Sequence, residues 1–459
     1  ALENGAEPVR VLSSVLGQNY PSDELEYSWK KLMQNHPHDS ICCCSVDEVQ
    51  DEMATRFNKS KQVADYLVSE GTRYIADKIN TKEYEKYKNA LPFVVFNTTG
   101  RKRTSVVSVE IDVTRKSGWL KKCAYDLDEI NVPNYKLIDS AGNSIPFKIE
   151  DLGVRFGYDL PKDKFRQPYM ARRVRVTFEA ENISAVGYKT YALVEGDAEK
   201  VTDTLVSGEN CMENDAIRVE INKNGSLNVT DKASGRTYKG VAYYEETGDL
   251  GNEYMYKMPE GSKAITTQDT VAKIELAEDE PYRAMYKITN TITVPKSGDD
   301  NFEDEKRHMV FFKERVGGRS NDTVEMKIET FVSLDKNGKG VKIKTRFDNE
   351  VKDHRVRIMV PTGINSDVHK ADSVFEVVTR NNRHNAGWNN PSGCEHEQGF
   401  VSIDDGEKGI AVANIGLYEY EMLPDLDNTI AVTILRAVGE MGDWGVLPTP
   451  KAQCLGISE

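Results

Sequence analysis

The sequence predicts an α+β multidomain protein in which an N-terminal helical bundle segment is followed by mainly antiparallel β-sandwich domains. Three observations support this fold class. Apolar residues recur at helical spacing up to about residue 88, they alternate with polar residues in many segments after residue 91, and Asn-Gly pairs separate strand-like segments in the second half. Alternation of apolar and polar residues indicates a sheet with one buried and one solvent-exposed face, which is typical of antiparallel sheets.

The first 90 residues predict two helical arms joined by a bend. The first arm, 24–34, carries apolar side chains four residues apart on one face: Leu25, Trp29 and Met33. Ser45 and Glu48 fit a capping box that begins the second arm. The apolar face of this arm continues with Val46, Val49, Met53 and Phe57. Pro37 separates the arms because it lacks a backbone donor and disfavours helical geometry in the residue before it.

The later chain predicts strands and hairpins. Segments 105–113 and 173–179 alternate between apolar and polar residues, as half-buried strands do. Asn224-Gly225 and Asn337-Gly338 each lie between two strand-like segments, and Asn-Gly is a strong hairpin signal. No helix-length amphipathic pattern is apparent in 206–459, so we expect a large β-sandwich there.

A chain of 459 residues is too long for one ordinary hydrophobic core, so several domains are expected. We place a helical bundle at 1–90, a small β domain at 91–205 and a large β-sandwich at 206–459. The last domain is expected to be truncated at its C-terminus.

Composition limits the classes of partner. The net charge is −14 and no basic cluster occurs, which argues against nucleic acid and anionic membranes as partners. No signal peptide or membrane-length apolar run is apparent. The seven cysteines have no recurring spacing, which argues against a disulfide framework and favours a reducing, cytoplasmic location.

The densest cluster of reactive side chains is the run 35–45, which holds two imidazoles, a carboxylate and three thiols. A catalytic zinc ion needs about three protein ligands, and this run supplies at most two or three. From the residues alone, His38 is open to a metal-binding role or to helix capping and hairpin packing. We interpret His36 as a non-ligand, because Pro37 makes it improbable that both imidazoles face one ion.

The segment 16–57 resembles the histidine-aspartate segment of glycoside hydrolase family 38, the retaining α-mannosidases. The matching motifs are Leu16-Gly17, Tyr20-Pro21, Trp29 to Met33, Asn35 to Cys42, Cys44-Ser45, Asp47 to Val49 and Arg56-Phe57. The resemblance implies that His38 is a zinc ligand and that Asp39 contacts bound sugar. The chain departs from the family pattern at Cys43, where bacterial members commonly have glycine.

The β region resembles the downstream part of the same family, with short motifs in the same order. They include Phe96-Asn97, Gly187 to Tyr191, Gly248 to Tyr254, Phe347 to Asn349, Asp353 to Arg357 and Leu435 to Gly439. The resemblance implies that Tyr254 reaches the sugar from the β side, whereas the residues alone also allow a packing role in a strand. We interpret Asp353-His354-Arg355 as an ion-paired loop entry to a strand.

The resemblance implies zinc as cofactor and the hydrolysis of terminal α-mannosides of oligosaccharides with retention. It also implies that the nucleophile and the acid/base lie in an N-terminal α/β domain that this chain lacks. Neither of the two carboxylates that a retaining glycosidase needs can be assigned here, so no catalytic residue is proposed in this chain. The chain is expected to be truncated at both ends and inactive alone.

Alternatives come from other classes of protein. One is a relative acting on a phosphorylated mannosyl-glycerate, which favours a basic pocket. Another is a non-catalytic carbohydrate-binding β protein, for which Trp119, Trp388 and Trp444 lack a recurring spacing. A redox or zinc regulator built on Cys42–Cys44 is disfavoured by acidic flanking residues. The partners expected are a mannose-containing oligosaccharide and, as one possible assembly, a second copy in a homodimer.

Overall fold

A computed structural model describes residues 1–41, 45–161, 163–199, 202–252, 254–383 and 393–438. It confirms the predicted α+β fold class, with helices at the N-terminus and antiparallel sheets after residue 90. The domain boundaries at 90/91 and 205/206 stay predictions. No helix within the described ranges is long and apolar enough to cross a membrane.

Six α-helices and a short π-helix (Leu2–Ala6) lie in the described ranges. They are α1 (Glu7–Val15), α2 (Ser22–Met33), α3 (His38–Ile41), α4 (Asp47–Ala76), α5 (Leu120–Asp128) and α6 (Asp300–Arg307). Helix α4 packs against α1 and α2 around a small apolar core of Leu2, Ala6, Leu25, Ala64 and Leu67. Single 3₁₀ turns occur at Lys82–Tyr84, Thr267–Asp269 and Phe312–Glu314.

Two details of the predicted helical arms are wrong. Met33 is 52% exposed, because the buried stripe of α2 follows Leu25, Trp29 and Leu32 and Met33 lies one residue beyond it. The predicted capping box is not formed: Val46, and not Ser45, is the N-cap residue of α4, and its side chain makes no capping hydrogen bond. The Ser45 hydroxyl instead donates to the carbonyl of Asp39 at 2.9 Å, so it closes the bend between the arms.

The first β region contains two sheets. Its strands are β1 (Leu91–Asn97), β2 (Arg103–Lys116), β3 (Tyr135–Asp139), β4 (Ser144–Ile145), β5 (Phe147–Asp159), β6 (Gln167–Ile183) and β7 (Gly187–Glu195). They form the sheets β1-β7-β3-β4 and β2-β6-β5. The predicted inward face of β6 is confirmed, since Val174, Val176 and Phe178 are all fully buried. Helix α5, which the sequence analysis missed, packs against β6.

The described residues of the second β region form four antiparallel sheets, β12-β11-β10-β9-β8, β14-β13-β19-β26-β25-β22, β15-β16-β17-β18 and β21-β20-β23-β24. The first ten strands are β8 (Val206–Gly208), β9 (Cys211–Glu213), β10 (Ile217–Ile221), β11 (Leu227–Asp231), β12 (Thr237–Val241), β13 (Tyr243–Gly248), β14 (Ile265–Thr266), β15 (Lys273–Glu280), β16 (Arg283–Pro295) and β17 (Thr323–Asp335). The others are β18 (Lys342–Arg346), β19 (His354–Val360), β20 (Val368–Ser373), β21 (Glu376–Asn381), β22 (Cys394–His396), β23 (Phe400–Asp404), β24 (Gly409–Ala413), β25 (Glu419–Met422) and β26 (Ile430–Ala437).

Both predicted Asn-Gly hairpins are confirmed. Strands β10 and β11 pair antiparallel across the first, and Gly225 has φ 86°, a left-handed conformation that glycine adopts without strain. Strands β17 and β18 pair across the second. The short helix α6 was missed because Phe302 is its one buried apolar residue, and its other residues are polar or charged. The Asp299 side chain caps it by accepting from the amide of Phe302 at 2.8 Å.

Three of the cysteines are described, and all three are free thiols. Cys123 and Cys211 are buried. Burial of Cys394 raises the pKa of its thiol to about 11, which disfavours the reactive thiolate. Cys42–Cys44, including the departure at Cys43, lie outside the described residues, as do Trp388 and Trp444.

Glu397, just after β22, is a buried carboxylate with few partners. Its side chain is 1% exposed, and its Oε1 accepts from Asn414 Nδ2 at 2.5 Å. Its Oε2 has no hydrogen-bond partner in the part of the chain that the structure describes. Burial raises the pKa of this carboxyl from 4.5 to about 7.

Replacing Glu397 with Gln is therefore expected to stabilise the protein at pH 8, by roughly 1–3 kcal/mol. The folded state binds the extra proton between the unfolded pKa of 4.5 and the folded pKa of about 7, so the wild-type free energy of unfolding falls as pH rises through this window. Urea unfolding of both proteins at pH 5 and pH 8 measures the difference, which should shrink at pH 5. Exposed Glu220→Gln is the control, and equal stability of Glu397→Gln and wild type at pH 8 contradicts the prediction.

Candidate functional site

The bend between α2 and α4 presents His38 and Asp39 to solvent. His38 begins α3, and its Nε2 lies 3.3 Å from Asp39 Oδ1. The side chains are 94% and 62% exposed, respectively. The backbone of Asp39 is held by the Ser45 hydroxyl, so the pair is accessible but its chain segment is tied back to the start of α4.

Contacts on the other side of the bend attach it to α4. Asn35 is fully buried, and its Nδ2 donates to the carbonyl of Met53 at 2.9 Å. Arg56 Nη1 donates to the carbonyl of Gln34 at 3.3 Å. Anchors at Asn35 and Ser45 hold the backbone on both sides of His38 against α4.

The described residues do not complete a zinc site. An imidazole and a carboxylate are suitable zinc ligands, and His38 is accessible enough to serve as one. Over the described ranges, however, no group of three or more His, Cys, Asp or Glu side chains is arranged to hold a metal ion. The described residues therefore supply at most some of the ligands that a zinc ion needs.

Tyr254 lies far along the sequence from this bend, in the loop that follows β13. Its side chain is 55% exposed. The loop is organised by Asp249, which is 1% exposed and whose Oδ1 accepts from the amides of Gly251 at 2.8 Å and Lys257 at 3.1 Å. The other carboxylate oxygen of Asp249 forms an ion pair with Arg436 Nε at 2.6 Å. Asp249 thus ties both ends of the loop to β26.

A second polar residue supports the backbone at the tip of this loop. Asn252 Oδ1 accepts from the amides of Tyr254 at 3.0 Å and Met255 at 2.9 Å. The carbonyl of Asn252 accepts from Arg436 Nη2 at 2.6 Å. Gly251 is required by space, since a Cβ there would lie 1.7 Å from the carbonyl oxygen of Met255. The loop is thus closely packed behind an exposed tyrosine ring.

Two cations, the buried Arg315 and the partly buried Lys257, bind backbone carbonyls in and beside the loop. Arg315 is 2% exposed, and its Nη1 donates to the carbonyls of Leu250 and Gly251, both at 2.8 Å. Lys257 Nζ donates to the carbonyls of Phe312, Lys313 and Arg315, in and just after the 3₁₀ turn that follows α6. Burial lowers the pKa of the Lys257 ammonium group. These contacts link the loop of Tyr254 to the segment 312–315.

A buried ion cluster lies under β13 and β19. Glu246 and His354 are both fully buried, and His354 Nδ1 lies 3.2 Å from Glu246 Oε1. Arg319 Nη1 donates to Glu246 Oε2 at 2.7 Å, and Arg319 Nη2 also pairs with this carboxylate. Asp353 Oδ1 lies 3.5 Å from Lys306 Nζ, and burial raises the pKa of the Asp353 carboxyl. The interpretation of Asp353-His354-Arg355 as an ion-paired entry to a strand therefore holds for Asp353. His354 is hydrogen-bonded to Glu246, and Arg355 forms no ion pair with any residue that the structure describes.

The sequence analysis assigned no role to Asp249, Arg436 or Arg315. Asp249 and Arg436 belong to short motifs that carried the family resemblance, and those motifs were the signal that could have identified them. Arg315 lies in no such motif. The structure brings Asp249, Tyr254 and Arg436 into one loop assembly, whereas His38 and Asp39 belong to the helical region.

Comparison with known proteins decides the family. The model described as "Glycosyl hydrolases family 38 C-terminal domain 1" matches residues 88–195, and "Glycosyl hydrolases family 38 C-terminal domain" matches residues 212–441. The chain belongs to glycosyl hydrolase family 38. Asp249, Tyr254 and Arg436 lie within the second match, whereas His38 and Asp39 precede both.

Family 38 relatives of known name or structure agree with this assignment. A protein of Halalkalibacterium halodurans named "Putative mannosylglycerate hydrolase" is 39% identical over 473 residues, covering 100% of this chain and 51% of the relative. The crystal structure of an α-mannosidase from Enterococcus faecalis is 41% identical with a TM-score of 0.93, covering 99% of this chain and 52% of that one.

A second Enterococcus faecalis structure of a family 38 protein is 40% identical with a TM-score of 0.90, covering 99% of this chain and 53% of that one. The chain therefore spans about half the length of the family 38 proteins that it matches.

Proposed function

We propose that this chain is the helical and C-terminal β part of a zinc-dependent, retaining α-mannosidase that hydrolyses terminal α-mannosides of oligosaccharides. In this proposal His38 is one zinc ligand, and Asp39 and Tyr254 hold the mannose. The observation that carries the proposal is the Tyr254 loop, in which Asp249, Asn252 and Arg436 fix the backbone while the phenol ring stays exposed. Such support favours a residue that must meet a ligand in one orientation.

The proposal assigns binding and orientation to this chain. Asp39 can accept hydrogen bonds from sugar hydroxyls, and the phenol of Tyr254 can both donate and accept. Zinc, when bound, would supply electrostatic attraction for sugar hydroxyls. A retaining glycosidase also needs two carboxylates about 5 Å apart, and we propose that these come from the part of the relatives that this chain does not cover. The chain alone is then expected to be inactive.

A second candidate is a mannoside whose aglycone carries an acidic group. The Halalkalibacterium halodurans relative is named for mannosylglycerate, in which the aglycone is a carboxylic acid. A cavity beside the Tyr254 loop, lined by more basic than acidic side chains, favours this substrate class. Homodimer formation and a cytoplasmic location stay predictions.

The test is hydrolysis of an aryl α-mannoside by the complete gene product. Chelation should abolish turnover of the wild type and added zinc should restore it. His38→Ala is expected to lower kcat/KM at least roughly tenfold, because it removes a ligand. His36→Ala is the matched control, since His36 is an exposed histidine two residues away.

The outcomes separate the hypotheses. Zinc-restored turnover that His38→Ala removes and His36→Ala retains supports the proposal. Equal turnover by the wild type and His38→Ala contradicts the role of His38 as a zinc ligand. Mannoside binding without turnover in the zinc-loaded complete protein would favour a carbohydrate-binding protein instead.

A further inference from the structure

A cavity of about 510 Å³ lies between one face of the six-stranded sheet and the loop that follows Tyr254. Its lining includes Tyr256 and Cys394 together with six charged residues, Glu245, Glu421, Lys257, Lys313, Arg355 and Arg357. Four of these are basic and two are acidic, so the lining carries a formal charge of +2 (4 − 2). The cavity is thus positive in a chain whose net charge is −14.

The two acidic residues of the lining are already paired with one cation. Arg357 Nη2 lies 2.6 Å from Glu245 Oε1, and Arg357 Nη1 lies 2.5 Å from Glu421 Oε2. Lys257 Nζ donates hydrogen bonds to three backbone carbonyls. The other two lining cations are Lys313, which is exposed to solvent, and Arg355, which is buried.

Arg355 is a buried cation without a carboxylate partner among the described residues. It is 3% exposed, and within the described ranges it forms no ion pair. The Tyr256 ring lies under its guanidinium, with Cζ 3.5 Å from the ring centroid. Its Nη1 contacts Cys394 Sγ at 3.5 Å, and its buried Nε has no hydrogen-bond partner in the part of the chain that the structure describes. Burying a charge in this way is costly unless an opposite charge compensates it.

The neighbouring strand places a second arginine beside Arg355. Arg355 on β19 lies directly opposite Arg436 on β26 in the sheet register, and like charges in opposed positions repel each other. Arg436 is compensated by Asp249. Arg355 has no such partner in the described part of the chain, so an anion in the cavity would compensate its positive charge.

We propose that the cavity binds a small oxyanion, a carboxylate or a phosphate, on the guanidinium of Arg355. The planar guanidinium can donate hydrogen bonds to two oxygens of such a group at once. The Tyr256 ring packs against the guanidinium of Arg355. Met255, Tyr256 and Lys257 line the cavity and directly follow Tyr254. If the proposed function holds, the anion is the acidic group of the aglycone, and the enzyme selects acidic mannosides. Binding of the anion itself does not depend on that function.

Isothermal titration calorimetry of the complete gene product tests the site without turnover. The probes are inorganic phosphate and D-glycerate, with glycerol as the uncharged control. At least one anion should bind saturably and glycerol should not. Arg355→Gln should lower the anion affinity at least tenfold. Arg307→Gln, which removes an arginine side chain that is 73% exposed, should leave it unchanged.

Two results would overturn the site: no saturable binding of either anion to the wild type, or equal affinity in Arg355→Gln. Should Arg355→Gln fail to fold, Arg355→Lys keeps the charge but loses the planar fork, and weaker binding by this variant supports the site while unchanged binding overturns it. Selective binding of glycerate or of phosphate supports the site and tells which acid it accepts. Failure of aryl mannoside hydrolysis with anion binding intact would refute the proposed activity alone.

Discussion

Glu246→Gln is expected to lower the free energy of unfolding by about 3 kcal/mol. The Glu246 carboxylate is fully buried and is shared by Arg319 and by His354 Nδ1. The amide keeps the size of the side chain but removes its charge, so the Arg319 guanidinium, whose side chain is 8% exposed, is left without compensation. Removing one member of a buried pair costs far more than removing a surface charge.

Equilibrium unfolding in urea, followed by circular dichroism, measures this loss. Glu220→Gln is the matched control, because Glu220 is on a strand of the same region and its side chain is 49% exposed. This control should unfold like the wild type. Were Glu246→Gln to show the midpoint and slope of the wild type, the cluster would not contribute to stability as argued.

Gly251→Ala is expected to lower kcat/KM of the complete enzyme for an aryl α-mannoside by about 100-fold. An added Cβ would meet the carbonyl oxygen of Met255 at 1.7 Å and Asp249 Oδ1 at 2.8 Å. The contact with Met255 involves backbone, so it can be relieved only by moving the loop. The loop carries Tyr254, and a displacement of about 1 Å at a binding residue can produce a loss of this size.

Gly340→Ala is the control, since a Cβ at Gly340 would meet no atom within 4 Å. It should retain both activity and stability. Limited proteolysis gives a readout that does not depend on turnover, because a displaced loop should be cut faster after Lys257 in Gly251→Ala. Full activity and unchanged proteolysis in Gly251→Ala would show that the loop tolerates the methyl group and that its packing is looser than described.

Local patterns in the sequence predicted much of the fold. Alternation identified the inward face of β6, with Val174, Val176 and Phe178, because every second side chain of a strand points to one side. The Asn-Gly pairs located two hairpins. At the first, Gly225 adopts the left-handed conformation that few residues other than glycine adopt. The capping box failed because the Ser45 hydroxyl had an alternative acceptor, the carbonyl of Asp39, that is formed by the tertiary bend.

The polar support of the Tyr254 loop could not be predicted from local patterns. Asp249 and Arg436 are 187 residues apart, and Glu246 and His354 are 108 residues apart. A single sequence contains no periodicity that links such positions. Tyr254 was identified through the family resemblance, and its role in binding sugar stays a proposal, as do those of His38 and Asp39.

The strand order of the six-stranded sheet has a consequence for the order of folding. Strand β26, near residue 437, lies between β19 and β25, so the central part of the sheet cannot close until the last of its strands has left the ribosome. Until then β19 presents an unpaired backbone edge that invites pairing with other chains. Contacts between residues so distant in sequence also form slowly. Synthesis of this region should therefore pass through an aggregation-prone stage that ends only when β26 inserts.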